Sequence, residues 1–211
     1  MSIKAVLWDV DGTLVDSEPL HLEALLAVCA RFNVDISNLP DDTFIGVNLN
    51  GVWDALKHLF PDSLSLNAWK ASIDEYYAHH AEKLHVMPGA IETIQRLNKA
   101  GIRQAAVSNS GRSVVDTNLA FLGINALLEF SISLDDVSAP KPAPEPYLQA
   151  LAAMNLEPSQ ALAVEDSKAG AMSAKAAGLT LVAYNNPGLP ADAWIDDLAD
   201  LKNLFPNSLA S

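Results

Sequence analysis

The sequence predicts an α/β fold: a doubly wound parallel sheet with a helical cap domain inserted after the first strand. Three observations predict it. Short apolar runs bounded by polar or Gly/Pro residues recur along the chain, as buried parallel strands do. Three helical stretches end in a glycine followed by an apolar residue, Gly101, Gly123 and Gly178, which suits a left-handed turn returning the chain to the sheet. A stretch from Ser17 to Leu84 breaks this rhythm and shows helical periodicity with no convincing strand.

Taken in order, Ile3, Ala5, Val6, Leu7 and Trp8 make the first strand, which stops at Asp9-Val10-Asp11-Gly12. The insertion follows. Leu22, Leu25, Cys29 and Phe32 line one face of a helix after Ser17, a suitable N-cap. Val52, Ala55, Leu56, Leu59 and Phe60 mark a second helix, and Trp69, Ile73, Tyr76 and Tyr77 a third. Pro88-Gly89 marks re-entry, so residues 1–16 and 85–211 form the core and 17–84 the cap. In the core, Ile91, Ile94 and Leu97 precede the strand Arg103–Val107, and Val115, Leu119 and Leu122 precede Glu129–Ile132. Ala161–Val164 is the fourth strand; Ala169, Met172 and Ala176 line the helix before the fifth, Thr180–Tyr184. Alternation of this kind builds a parallel sheet with right-handed crossovers.

The composition sets limits on partners. Half of the 211 residues are hydrophobic and 18% are charged, which suits a buried core. Thirteen Lys+Arg against 26 Asp+Glu give a formal charge of −13. Such a surface repels phosphate backbones and anionic lipid, so neither nucleic acid nor membrane is expected as a partner. Cys29 is the only cysteine, which excludes an intrachain disulfide and fits a reducing cytoplasm. No apolar run reaches the length of a membrane span. A cytoplasmic protein is expected, with a monomer as the default.

Open α/β sheets bind ligands at the carboxyl ends of their strands, and the residues found there are chemically pointed. Asp9 and Asp11 follow the first strand, Ser108-Asn109-Ser110-Gly111 the second, Lys141 the third, and Glu165-Asp166-Ser167 the fourth. Four converging carboxylates must pair, protonate or share a cation. Hard oxygen ligands suit Mg²⁺, which leans on substrate phosphate. Ser108 and the amides of Asn109 to Arg112, at a helix N-terminus, suit an anion, and Lys141 adds a point charge. Taken singly, each piece has a plainer reading: Asp9 as a turn residue, Ser108–Gly111 as a turn, Lys141 as a solvated side chain, Glu165-Asp166 as a helix cap. Their joint placement points to phosphoryl transfer.

In these motifs, Asp9-Val10-Asp11-Gly12-Thr13, Ser108-Asn109, Lys141-Pro142 and Glu165-Asp166-Ser167, the chain resembles the haloacid dehalogenase-like superfamily of Mg²⁺-dependent phosphohydrolases. Asp16-Ser17-Glu18-Pro19 and Lys141–Tyr147 are similar to its helical-cap branch, which includes phosphoglycolate and sugar phosphatases and β-phosphoglucomutases. The resemblance implies a Rossmannoid core and a phosphatase acting on a small phosphorylated metabolite such as a sugar phosphate. It implies that Asp9 forms an aspartyl-phosphate and that Asp11 is the general acid and base. It implies Mg²⁺ on Asp9, the Asp11 main-chain carbonyl and Asp166, with Glu165 a further ligand. Ser108, Asn109 and Lys141 would hold the phosphoryl group, and Lys141 would also restrain Asp9.

The cap would close over this site, exclude water and read the leaving group. Phe44–Gly51 is the candidate specificity loop, an ordinary helix connection being the alternative; His21 is a further candidate to face the cleft, and His79-His80 reads as exposed. No arginine lies between Arg31 and Arg96, leaving Lys57, Lys70 and Lys83 as cap cations, which favours a neutral sugar leaving group. Asp11 argues against dehalogenase chemistry, and the lack of lysine in 44–52 argues against phosphonate cleavage. A β-phosphoglucomutase-like transferase is the alternative, and a receiver-like phosphoprotein the remote one.

Overall fold

The computed structural model describes residues 3–40, 43–44 and 49–205. The elements begin with β1 (Ala5–Trp8), β2 (Val15–Asp16), α1 (Glu18–Arg31), α2 (Leu49–Leu56), α3 (Leu66–His79), β3 (His85–Val86) and α4 (Ala90–Lys99). They continue with β4 (Arg103–Val107), α5 (Arg112–Leu122), β5 (Ser131–Ile132), α6 (Glu145–Met154) and β6 (Ala161–Glu165). The last are α7 (Lys168–Ala176), β7 (Thr180–Tyr184) and β8 (Ala193–Ile195). The chain divides into two compact units, with boundaries between Asp16 and Ser17 and between Leu84 and His85.

The core unit is a parallel sheet, six-stranded among the described residues, in the order β5-β4-β1-β6-β7-β8. All four β1 residues are fully buried, because a central parallel strand is covered on both faces and therefore reads as a continuous apolar run. Ala5, Leu7, Ala105, Val107, Ala163 and Leu181 pack with Tyr147 and Leu151 of α6 and with Ala171 and Ala174 of α7. Alternate strand residues point the other way. On that face Trp8 Nε1 donates to Gln104 Oε1 at 3.0 Å, and Gln104 Nε2 donates to the Ile94 carbonyl of α4 at 3.0 Å. Helices thus cover both faces, and buried Gln104 is satisfied at both ends of its amide.

Gly101, Gly123 and Gly178 have φ of 73°, 67° and 81°, the left-handed turns expected from the helix–glycine–strand rhythm. Other expectations need correction. In α7 the stripe Ala169, Met172 and Ala176 is not the inner face: Met172 is 48% exposed, and Gly170, Ala171, Ser173 and Ala174 are buried. Close packing on the sheet there selects small residues, which hydrophobicity does not mark. In α4, Ile91 is only half-buried, and Thr93 joins Ile94 and Leu97 inside. The third expected strand begins at Ser131, not Glu129. An unanticipated antiparallel pair, β2 with β3, matches Val15 to Val86 and Asp16 to His85.

In the helical unit, Ala24, Leu25, Val28 and Cys29 of α1 pack with Val52, Leu56, Phe60, Trp69 and Ile73. Leu22 and Phe32 are half-buried, the inner face being turned toward Leu20, Ala24 and Val28. Ser17 takes the N-cap position of α1 without a side-chain capping bond. Trp53 stacks on Phe60 at 5.6 Å and His21 on Tyr77 at 4.6 Å. His79 is exposed, whereas His80 is half-buried and stacks on Tyr76 at 3.9 Å. Burial pushes the Cys29 thiol up to about 11, the state of an inert core cysteine. Residues 45–48 of the candidate specificity loop lie outside the described residues. No helix among the described residues is long and apolar enough to cross a membrane.

Candidate active site

The strand order reverses at β1, where one arm of the sheet runs through β4 and the other through β6. Trp8 is in register with Ala106 of β4 and Val164 of β6, so Asp9, Ser108 and Glu165 leave the sheet side by side. This is the crevice at which such sheets bind ligands.

Lys141 stands at the centre. In isolation it reads as a solvated side chain, but it is 5% exposed. Its Nζ donates to Asp9 Oδ1 at 2.8 Å, Glu165 Oε1 at 2.6 Å and the Val107 carbonyl at 2.7 Å. Burial alone would lower its pKa, but the charges and hydrogen bonds of Asp9 and Glu165 hold the ammonium above its ordinary value. The loop carrying it is braced twice. Asn109 accepts from Lys141 N and donates to the Lys141 carbonyl, both at 2.9 Å. Glu145 accepts from the amides of Ser138 and Ala139 at 2.8 and 2.9 Å. Tyr147 then donates its hydroxyl to Glu165 Oε1 at 2.5 Å, with its ring 5.2 Å from the Lys141 ammonium.

Asp9, Glu165 and Asp166 each offer a carboxylate oxygen within 4.8 Å of the others. Thr13 Oγ1 donates to Asp166 Oδ1 at 3.2 Å, and Asn186 Nδ2 donates to the Asp166 carbonyl at 2.8 Å. Gly12 has φ of +82°, and a Cβ there would lie 2.3 Å from Asp166 Oδ2, so the loop can close on Asp166 only through a glycine. Burial, reinforced by the charge of Asp9, pushes Glu165 up to about 7 and Asp166 up to about 8. Burial also raises Asp9, against the opposing pull of Lys141. With all three ionised, the carboxylates against one ammonium would leave two negative charges in a buried space, and an all-oxygen donor set fits a hard divalent cation such as Mg²⁺.

The Asp11 side chain is not part of that cluster. Its Oδ2 accepts from Ser108 Oγ at 3.0 Å and Ser110 Oγ at 2.8 Å, and its Oδ1 accepts from Asn118 Nδ2 at 2.9 Å. The expected anion site at the start of α5 is partly filled by the protein itself. Ser110 N donates to Ser108 Oγ at 2.9 Å and Arg112 N to Asp135 Oδ2 at 2.7 Å. Tyr147, Asn118, Asn186 and Gly170 are not among the expected site residues, and of Ser110 only the amide is, not the hydroxyl that reaches Asp11. A signal existed for Asn118, a polar residue on the helical stripe of Val115, Leu119 and Leu122; none existed for Gly170, where a Cβ would lie 1.8 Å from Glu165 Oε2.

Fold and site together define an α/β enzyme whose acidic cluster, held by one buried lysine, occupies the switch point of the sheet. Residues 6–184 match the haloacid dehalogenase-like hydrolase family model. The chain belongs to that family and is a hydrolase. It is 32% identical to validoxylamine A 7'-phosphate phosphatase of Streptomyces hygroscopicus subsp. limoneus, across 94% of this chain and 96% of that protein. It is 30% identical to hexitol phosphatase A of Escherichia coli K12, across 89% and 85%. Its fold matches the crystal structure of CbbY from Rhodobacter sphaeroides in complex with phosphate, with a TM-score of 0.85 and 25% identity over 94% of this chain and 96% of that one.

Proposed function

We propose that the protein is a Mg²⁺-dependent phosphatase of a small phosphorylated metabolite, a sugar phosphate by class, working through an aspartyl-phosphate on Asp9. The observation that carries this reading is the buried Lys141 bridging Asp9 and Glu165 beside Asp166. Asp9, Asp166 and the Asp11 main-chain carbonyl would hold the ion, with Glu165 beside them. When bound, it would neutralise the charge of the cluster and of the phosphate. Asp9 attacks phosphorus as the bond to the leaving oxygen breaks, and Asp11 gives that oxygen its proton. Asp11 next takes a proton from water, whose oxygen attacks phosphorus and releases Asp9 as a carboxylate. Lys141 fixes one oxygen of Asp9 and brings positive charge beside the transferring group, whose oxygens Ser108 and Asn109 would hold.

Two relatives named as phosphatases support water, not a second sugar hydroxyl, as the acceptor. The test is hydrolysis of p-nitrophenyl phosphate with Mg²⁺ and with EDTA, for the wild type and Asp9→Asn. Metal-dependent release that is abolished in Asp9→Asn is expected; full turnover in either control defeats the reading. Release of inorganic phosphate from hexitol phosphates, without interconversion of β-glucose 1-phosphate and glucose 6-phosphate, separates phosphatase from mutase.

A further inference from the structure

Helix α5 buries Val114, Val115, Leu119 and Leu122, and with them one polar residue, Asn118, at 0% exposure. An amide on such a stripe costs free energy unless it is hydrogen-bonded, and an aliphatic residue would continue the stripe. Asn118 instead spends Nδ2 on Asp11 Oδ1, at 2.9 Å. The other Asp11 oxygen takes Ser108 Oγ and Ser110 Oγ, at 3.0 and 2.8 Å, from the turn that leaves β4. The two oxygens are therefore held from two sides, one by a turn and one by the interior of a helix. The two serine donors fix only Oδ2; the Asn118 amide fixes Oδ1 as well, and so sets the plane of the half-buried carboxylate.

We infer that Asn118 is a positioning residue for proton transfer: it orients the Asp11 carboxylate so that the oxygen carrying the proton meets the leaving group. This rests on the proposed role of Asp11 as acid and base. It makes Asn118 important in proportion to how much the leaving oxygen needs a proton. A p-nitrophenolate departs well without one, whereas an alkoxide does not.

The experiment compares kcat/KM for p-nitrophenyl phosphate, phenyl phosphate and the best alkyl phosphate that the wild type hydrolyses. The proteins are wild type, Asn118→Leu, Asn118→Ser and Asp11→Asn. In the Asn118 variants the alkyl substrate is expected to lose about 10- to 100-fold and p-nitrophenyl phosphate no more than about 3-fold, the size of effect that misalignment of a general acid produces. Reading the ratio between substrates cancels the folded fraction, and Asn118→Ser serves where Asn118→Leu does not yield folded protein. Equal losses on all three substrates would overturn the inference and leave Asn118 a packing residue. A several-fold change in the Mg²⁺ concentration for half-maximal rate would also overturn it, because the effect would then lie on the metal side of the site. If Asp11→Asn leaves the ratio unchanged, the acid–base role of Asp11 fails instead.

Discussion

At Gly170 a Cβ would lie 1.8 Å from Glu165 Oε2 and 2.0 Å from its Cδ. Glu165 is fully buried and cannot retreat, since Lys141 and Tyr147 hold Oε1 and Ser167 Oγ reaches Oε2 at 3.3 Å. Moving the carboxylate would also disturb the Lys141 bond to Asp9, and a buried pair broken at one end is costly. Gly170→Ala is therefore expected to lose about 1–3 kcal/mol of stability and, in the protein that still folds, most of its hydrolytic activity. Urea denaturation with parallel activity measurement checks this, and Gly111→Ala is the tolerated control, since a Cβ there would meet Asp135 Oδ2 at 3.5 Å, an ordinary contact. An unchanged unfolding midpoint in Gly170→Ala would show that the carboxylate has another place to go.

Among the elements, α5 shows how a helix start that looks open to an anion is partly closed by its own protein. Asp135 caps the Arg112 amide, and the Arg112 guanidinium turns back to Asp136 and to the Ser131 carbonyl. Loss of an acceptor at a helix start typically costs about 0.5–2 kcal/mol. Asp135→Ala is expected to fall in that range by chemical denaturation while keeping its turnover per folded molecule. A selective loss of activity would instead place the α5 start in the reaction. The strands were legible in sequence because burial on both faces leaves a continuous apolar run. The inner face of α7 was not legible, because Gly170, Ala171, Ser173 and Ala174 are chosen for smallness and not for hydrophobicity.

For the molecule as a whole, the buried cluster couples pH, metal and stability. Glu165 and Asp166 are raised, chiefly by burial, to about 7 and about 8 in the folded state. The folded chain then holds protons that the unfolded chain has already released, so metal-free stability falls as pH rises from the ordinary carboxylate range through 8. A divalent cation replaces those protons. The rise in Tm produced by Mg²⁺ is therefore expected to be small at pH 5, large at pH 8, and strongly reduced in Asp166→Asn. Thermal unfolding with EDTA or Mg²⁺ at constant ionic strength measures it. A Mg²⁺ shift independent of pH, or greatest at pH 5, would contradict this account of the cluster.

By itself the sequence determined the α/β class, the helical stretch between the first strand and the rest, and the carboxylates, serine and lysine at the strand ends. Strand periodicity and turn chemistry are local, and the Asp9, Ser108 and Glu165 motifs lie within a few residues of the strands that carry them, whereas Lys141 sits further along the chain after β5. Only the tertiary structure decided that Lys141 is buried between Asp9 and Glu165, that Tyr147 and Gly170 shape the Glu165 carboxylate, and that Asn118 reaches Asp11. Those contacts join residues 18 to 132 positions apart, apart from Gly170, and a side chain's charge state and partners depend on what the fold brings against it.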